Sequence, residues 1–467
     1  MNDNATIYYH DIGDYLTREQ KLARIKEFGS VGAMLKAGAF TVLQPNKHGD
    51  WINHRDEGFD ELIPLDAAKK FDTKSQSVFV TFSRGLATAR DAWNYNSSKP
   101  DLESNAIRAI DSYNCQMRSY LEVRESKPDA LIEDNIQYSS SHFTWNRGSK
   151  NDAEKGRRYV FEANDVVLAC YRPFFKQHAF FYAPMNDMIY QLPKLFPTPK
   201  HENLVICVSG LGGTKQNSTL ISNVLIDLNV LDAGTQCFPL YYYDKSEQTE
   251  QMNLFDTGEE YTRRDGISDF ILERVRELCG SKVTKRDIFY YVYGILHSEE
   301  YRAKYAVNLK KSLPRLPLPE EPKLFWAFSK AGEKLAELHL NYETLPPWKE
   351  LKEDSPKAKP SYRVTKMRFA KEGKEENKTA IVYNDDVTVW NIPLEAYDYV
   401  VNGKSAIEWI MERYAVTTHK ESGIVNDPNL WCDEHNQPRY IIDLLKRIVT
   451  LSIETMKIVK TLPKLGL

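Results

Sequence analysis

The chemistry-bearing residues of this chain lie on loops. An apolar run, Leu204 to Val208, ends in Ser209-Gly210-Leu211-Gly212-Gly213-Thr214-Lys215-Gln216-Asn217. A glycine-rich turn after a strand invites a phosphate-binding reading. A P-loop, however, needs Gly directly before its Lys and Ser or Thr directly after, where this chain has Thr214 and Gln216. What remains is a tight loop presenting Lys215, Gln216 and Asn217, side chains suited to phosphate oxygens or base edges. Arg84, Arg90, Arg147, Lys150, Arg157, Arg158 and Arg172 also stand beside turns, where a long cationic side chain can reach a duplex.

The sequence shows no catalytic constellation beside these loops. Cys432 and His435 are close but have no second ligand pair at zinc-site spacing, and there is no HExxH. No G-x-S-x-G is present, and Ser139-Ser140-Ser141-His142 is a polar run whose neighbours need not face one another. The acidic pairs at Pro100-Asp101-Leu102-Glu103 and after Pro128 lack the lysine of a nuclease site, so they read as solvated helix ends.

These loops need a scaffold. The 467 residues, 42% hydrophobic, exceed what one core usually serves, which predicts two or three domains. A formal net charge of -3 argues against coating nucleic acid by bulk charge but leaves room for a local basic surface. Six scattered cysteines without a CxxC read as reduced thiols, and no apolar run is long enough to span a membrane. A cytoplasmic protein without a membrane anchor is the expectation.

Ala5 to Tyr9 is strand-like, and Thr17 caps a predicted helix over Arg18 to Phe28. One strand and one helix read as the edge unit of an α/β sheet whose other strands lie elsewhere. Residues 40 to 70 form a turn-rich connector, Ser77 to Ser83 a strand, and Leu102 to Leu121 a helix. Tyr171-Arg172-Pro173-Phe174-Phe175-Lys176 opens an aromatic strand region, and 159 to 244 alternates strands with short helices. Arg286 to His297, apolar almost all round, predicts a buried helix, and Leu324 to Leu340 an amphipathic one. Pro346 to Pro360 reads as a linker, Tyr362 to Tyr383 as a hairpin, and Ser405 to Tyr414 and Tyr440 to Leu462 as helices. Strand aromatics such as Phe174, Phe175, Phe180 and Phe181 belong mainly to the core. The fold class is α+β: residues 75–284 form a mixed α/β core and 285–467 a largely helical part with a β-hairpin near 362–384.

Several stretches then resemble one family. Tyr8 to Leu22, His48 to Asn53, Gly85 to Trp93, Tyr171 to Phe174, Phe238 to Tyr241, Leu335 to Leu340 and Ser422 to Asn429 are similar, in this order, to the C-terminal part of type ISP restriction-modification enzymes. The resemblance implies a target-recognition module for duplex DNA, preceded over residues 1–74 by the tail of a methyltransferase sheet and a connector. Its implied partners are adenine-N6 methyltransferase, helicase and nuclease domains, with S-adenosylmethionine, ATP and Mg confined to those domains and no cofactor in this chain. The family's Asn-Pro-Pro-Tyr/Phe tetrapeptide is absent, and Asn426-Asp427-Pro428-Asn429 does not replace it. No catalytic residue is carried over. The DNA-facing set is Arg84, Thr88, Arg90, Arg147, Lys150, Arg172, Lys215, Gln216 and Asn217, with Arg90, Arg172, Lys215, Gln216 and Asn217 expected to read bases. Where the family tends to have Asp after Arg-Pro-Phe, this chain has Phe175. A protein–protein scaffold or assembly subunit, and a methyltransferase subunit with unrecognised motifs, are the alternatives.

Overall fold

The computed structural model describes residues 5–67, 69–245 and 260–467, and the chain forms two compact units divided after Phe59. In the first, Ile7–Tyr9 pairs antiparallel with Thr41–Leu43, and Arg18–Phe28 is helical. Thr17 closes a capping box: its hydroxyl accepts from Gln20 N while the Gln20 side chain accepts from Thr17 N. No residue of that helix is buried.

The second unit, Asp60–Leu467, is α+β. One sheet runs Leu225–Ile226, Val166–Arg172, Phe175–Phe180, Tyr95–Asn96, parallel at its first pair and antiparallel elsewhere. A second, antiparallel sheet runs Ser83–Arg84, Gln236–Pro239, Val205–Val208, Thr219–Ser222. A third joins Lys352–Asp354, Thr388–Trp390, Glu375–Val382 and Arg368–Glu372. The Lys99–Ser126 helix packs Trp93, Tyr113, Phe143, Tyr159 and Phe180 into one core. A larger core joins Phe174, Phe175 and Val205 to the Ala406–Arg413 and Tyr440–Lys460 helices, so it takes residues from both sides of position 284.

The all-apolar segment is a helix, Lys285–His297, buried from Ile288 to His297. It packs on Pro322–Leu340 through two glycines. A Cβ on Gly294 would lie 2.3 Å from Phe328 O, and one on Gly332 would lie 1.9 Å from Tyr290 O. Only hydrogen fits at that crossing.

Two sequence readings are corrected. Pro346 to Pro360 is no linker: Lys352–Asp354 is a sheet strand, and Glu353 accepts from Lys446 at 2.7 Å and from Arg439. The Ser77 to Ser83 stretch pairs regularly only at Ser83–Arg84. Upstream, Val78, Phe79 and Val80 are all buried, and their amides bond to Pro64, Leu65 and Gly266. A segment enclosed on every side has no exposed face to alternate with.

Candidate nucleic-acid interface

The glycine loop grows out of a strand buried at all four positions, Val205–Val208. Ser209 N donates to Ser218 O at 3.1 Å and Ser218 N to Ser209 Oγ at 3.0 Å, closing the loop's neck. Gly210 has no room for a side chain, since a Cβ would meet Ala233 O at 1.9 Å. At the tip, the Asp232 carboxylate accepts from Thr214 N at 2.8 Å and Lys215 N at 3.0 Å. Those amides hold its carboxyl below the ordinary range. Lys215 and Gln216 are exposed on this pre-organised turn, with the Lys215 stem passing over Gly403.

The loop's far side is clamped. Gly212 N donates to Lys310 O at 2.8 Å, Arg302 to Asn217 O at 3.0 Å, and Asn402 N to Ser218 Oγ at 2.8 Å. Asn217 is therefore buried, which corrects its place in the base-reading set. Lys215 and Gln216 before it are exposed, but Asn217 is turned in.

Arg90 departs furthest from expectation. Only 2% exposed, it donates to Thr144 O at 2.5 Å, Met185 O at 2.9 Å, Asn146 Oδ1 at 3.0 Å and Ser149 Oγ at 3.1 Å. Its guanidinium lies 4.7 Å from the centre of the Phe143 ring. Burial pulls its pKa down to about 10, partly offset by Tyr159, Asp187 and Tyr113. The arginine ties three segments together and does not reach the surface. Thr88 is buried too, donating to the Asp91 carboxylate and accepting from Arg90 N at 3.1 Å, a turn that starts the Asp91–Asn94 helix.

Arg172 is likewise held inside. It donates to Asp227 at 2.7 Å, lies 3.6 Å from Asp91, and stacks 3.9 Å over the Tyr171 ring. Burial opposes its charge, but Asp227, Tyr171 and Asp91 more than compensate and raise its pKa. Beyond it the chain reverses at Pro173-Phe174. Phe174 adopts φ +57 and is fixed there by burying its ring against Tyr342 and Tyr399. Phe175, the departure from the family pattern, packs on Tyr414 at 4.7 Å, an apolar contact.

The remaining cations face solvent. Arg84 is exposed and lies 6.0 Å from the Tyr190 ring. Strand register sets Arg84 opposite Gln236 and Gln236 opposite Val208, so Arg84 lies in the row from which the glycine loop departs, about 10 Å across the sheet. Lys70, absent from the sequence-derived set, adjoins Arg84. Burial and then Arg84's charge lower its pKa. The adjacent Lys69-Lys70-Phe71 run was the available signal. Arg147 is exposed at the start of the Arg147–Glu154 helix, and Lys150, three residues on, pairs with Glu133 at 2.9 Å. Such a surface pair is easily exchanged for a phosphate.

A methyltransferase reading of Asn426 to Asn429 does not fit. Asn426 Oδ1 accepts from Ser97 N and Gln177 Nε2 at 2.8 Å each, and Asn429 pairs with both backbone groups of Val364. These amides hold segments together.

The model of the Type ISP C-terminal specificity domain matches residues 77–444. The chain belongs to that family. Among solved structures, a nuclease-deletion mutant of the Type ISP restriction-modification enzyme LlaGI in complex with a DNA substrate mimic is 34% identical, with TM-score 0.83 over 99% of this chain. The ATP-dependent Type ISP enzyme LlaBIII bound to DNA is 35% identical with TM-score 0.84 over 98%. The DrdV–DNA complex is 27% identical with TM-score 0.81 over 98%. The chain spans 40%, 28% and 43% of those three chains. No curated protein matches. The specificity domain thus carries the α+β fold of its relatives. Among the described residues no helix is long and apolar enough to cross a membrane.

Proposed function

We propose that this specificity domain binds duplex DNA and selects the target sequence on behalf of a larger restriction-modification enzyme. The observation that carries the reading is the near-complete overlap of the chain with two Type ISP enzymes, one in complex with a DNA substrate mimic and one bound to DNA, and with the DrdV–DNA complex. The loop chemistry supports it. Lys215 and Gln216 stand on a turn fixed by Asp232, Arg84 lies in the same sheet row, and Arg147 and Lys150 share one helix. Arg84, Arg147 and Lys150 are assigned to phosphates, and Lys215 with Gln216 to base edges. Adenine-N6 methylation, ATP-driven translocation and cleavage, with S-adenosylmethionine, ATP and Mg, are assigned to domains outside these residues. The cytoplasm, where the DNA is, is the assigned compartment.

Fluorescence anisotropy of a labelled duplex at low salt tests the reading with the full 467-residue chain. Saturable binding that weakens steeply with salt is expected. No binding, either alone or with a methyltransferase partner, would refute it.

A further inference from the structure

Behind the glycine loop lies a cavity of about 150 Å³ lined by Gln216, Asn217, Arg302, Ala306, Leu309 and Lys310. Three independent features of its wall share one polarity. Asn217, 9% exposed, has a side-chain Nδ2 that finds no hydrogen-bond acceptor. Arg302 is half-buried, and among the described residues its guanidinium makes one hydrogen bond, to Asn217 O at 3.0 Å, and no salt bridge. Lys310 is exposed at the rim, its own carbonyl holding Gly212 N.

A guanidinium carries five N–H donors, and burying a cation without a carboxylate is costly. Burial does pull the Arg302 pKa down, and Tyr399 and Glu299 offset this only in part. The Arg302 guanidinium, with donors left over and no salt bridge among the described residues, therefore lines a space of oxyanion size, while the unpartnered Asn217 Nδ2 is enclosed within the wall. Leu309, which is buried, supplies an apolar surface on one side of the cavity.

We infer that this cavity is an anion site, built by the Arg302 guanidinium and Lys310, that takes a phosphate group. The same chemistry is offered by free phosphate and by the DNA backbone. The second source rests on the DNA-binding reading above. A backbone phosphate seated here would fix the register of the loop tip on the duplex.

Calorimetric titration of inorganic phosphate into the full 467-residue chain, with chloride matched for ionic strength, tests the site directly. One saturable event is expected, weakened about tenfold or more by Arg302→Gln, as for loss of a charge-assisted donor pair. The exposed Lys310→Ala substitution, which leaves the packing intact, should weaken it several-fold. Duplex anisotropy against salt separates the sources. If DNA supplies the phosphate, both variants lower the slope of log K against log salt by about one. Phosphate binding with an unchanged DNA slope supports a free-anion site. No phosphate binding together with an unchanged slope means that water fills the cavity, and it overturns the proposal while the DNA reading stands. A chain that binds phosphate but no duplex sinks the DNA reading and leaves the anion site supported.

Discussion

Arg172 and Asp227 face each other across 2.7 Å with side chains only 13% and 1% exposed. That geometry makes Arg172 part of the scaffold. Removing one partner of such a pair leaves an uncompensated charge in a poorly solvated place. Arg172→Ala should lower unfolding stability by about 3 kcal/mol or more in urea titrations. Duplex affinity of the fraction that remains folded should change less than twofold. A large affinity loss without a stability loss would return Arg172 to the DNA-reading set.

Arg84 and Lys215 should behave in the opposite way. Both are exposed and neither supports packing beyond a cation–ring contact or a stem laid over glycine. Each substitution to Ala should leave the denaturation midpoint in place. Arg84→Ala should also reduce the salt slope of duplex binding by about one phosphate equivalent. If Lys215 reads a base edge, Lys215→Ala relaxes sequence preference at one position, seen in a competition series of single-base variants. Loss of affinity for every sequence alike would make it a backbone contact.

How much of this was legible in the sequence depends on how local the signal is. The Thr17 cap, the buried Lys285–His297 helix and the hairpin around Gly373 each announce themselves within a dozen residues. Position 353 does not. An acidic residue in a Lys- and Pro-rich stretch looks solvated until Arg439 and Lys446, far along the chain, close on it. Arg90 fails for the same reason: an arginine after a turn reads alike whether it meets water or the carbonyls of Thr144 and Met185. The glycine loop lies between these cases. Its glycines and exposed Lys215-Gln216 tip were readable, but the inward turn of Asn217 depends on Arg302 and Asn402, which no local pattern connects to it.

The loop's glycine requirement can be tested at one atom. Gly210→Ala places a methyl group 1.9 Å from a backbone carbonyl oxygen that cannot rotate away. The loop must shift, at a cost of about 1–3 kcal/mol for overpacking. Lys215 and Gln216 move with it, so duplex affinity should fall even where the chain stays folded. Gly212→Ala meets no atom but requires φ near +79, and it should cost only about 1 kcal/mol. Equal effects from the two substitutions would show that the Ala233 contact does not set the loop.

Acid sensitivity should originate in the helix pair. His297 is 4% exposed, with Nδ1 held by Tyr293 O at 2.8 Å and with Arg302 and His339 as neighbours. Burial pushes its pKa down to about 4, the Tyr293 carbonyl opposing and Arg302 adding to the shift. His339, bonded to Tyr293 and Thr455, is pushed down first by burial and then by His297. A depressed histidine favours the folded state only while it stays neutral. Above the unfolded value near 6.5 it contributes nothing to the pH dependence. As pH falls below 6.5 the unfolded chain takes up a proton that the folded chain refuses, and stability is lost until the pH reaches about 4. For His297 alone the loss between pH 8 and pH 5 is about 2 kcal/mol, and His339 adds to it. Urea unfolding at the two pH values should show this difference, and His297→Gln should shrink it. A pH slope unchanged by the substitution would place the acid-sensitive group elsewhere.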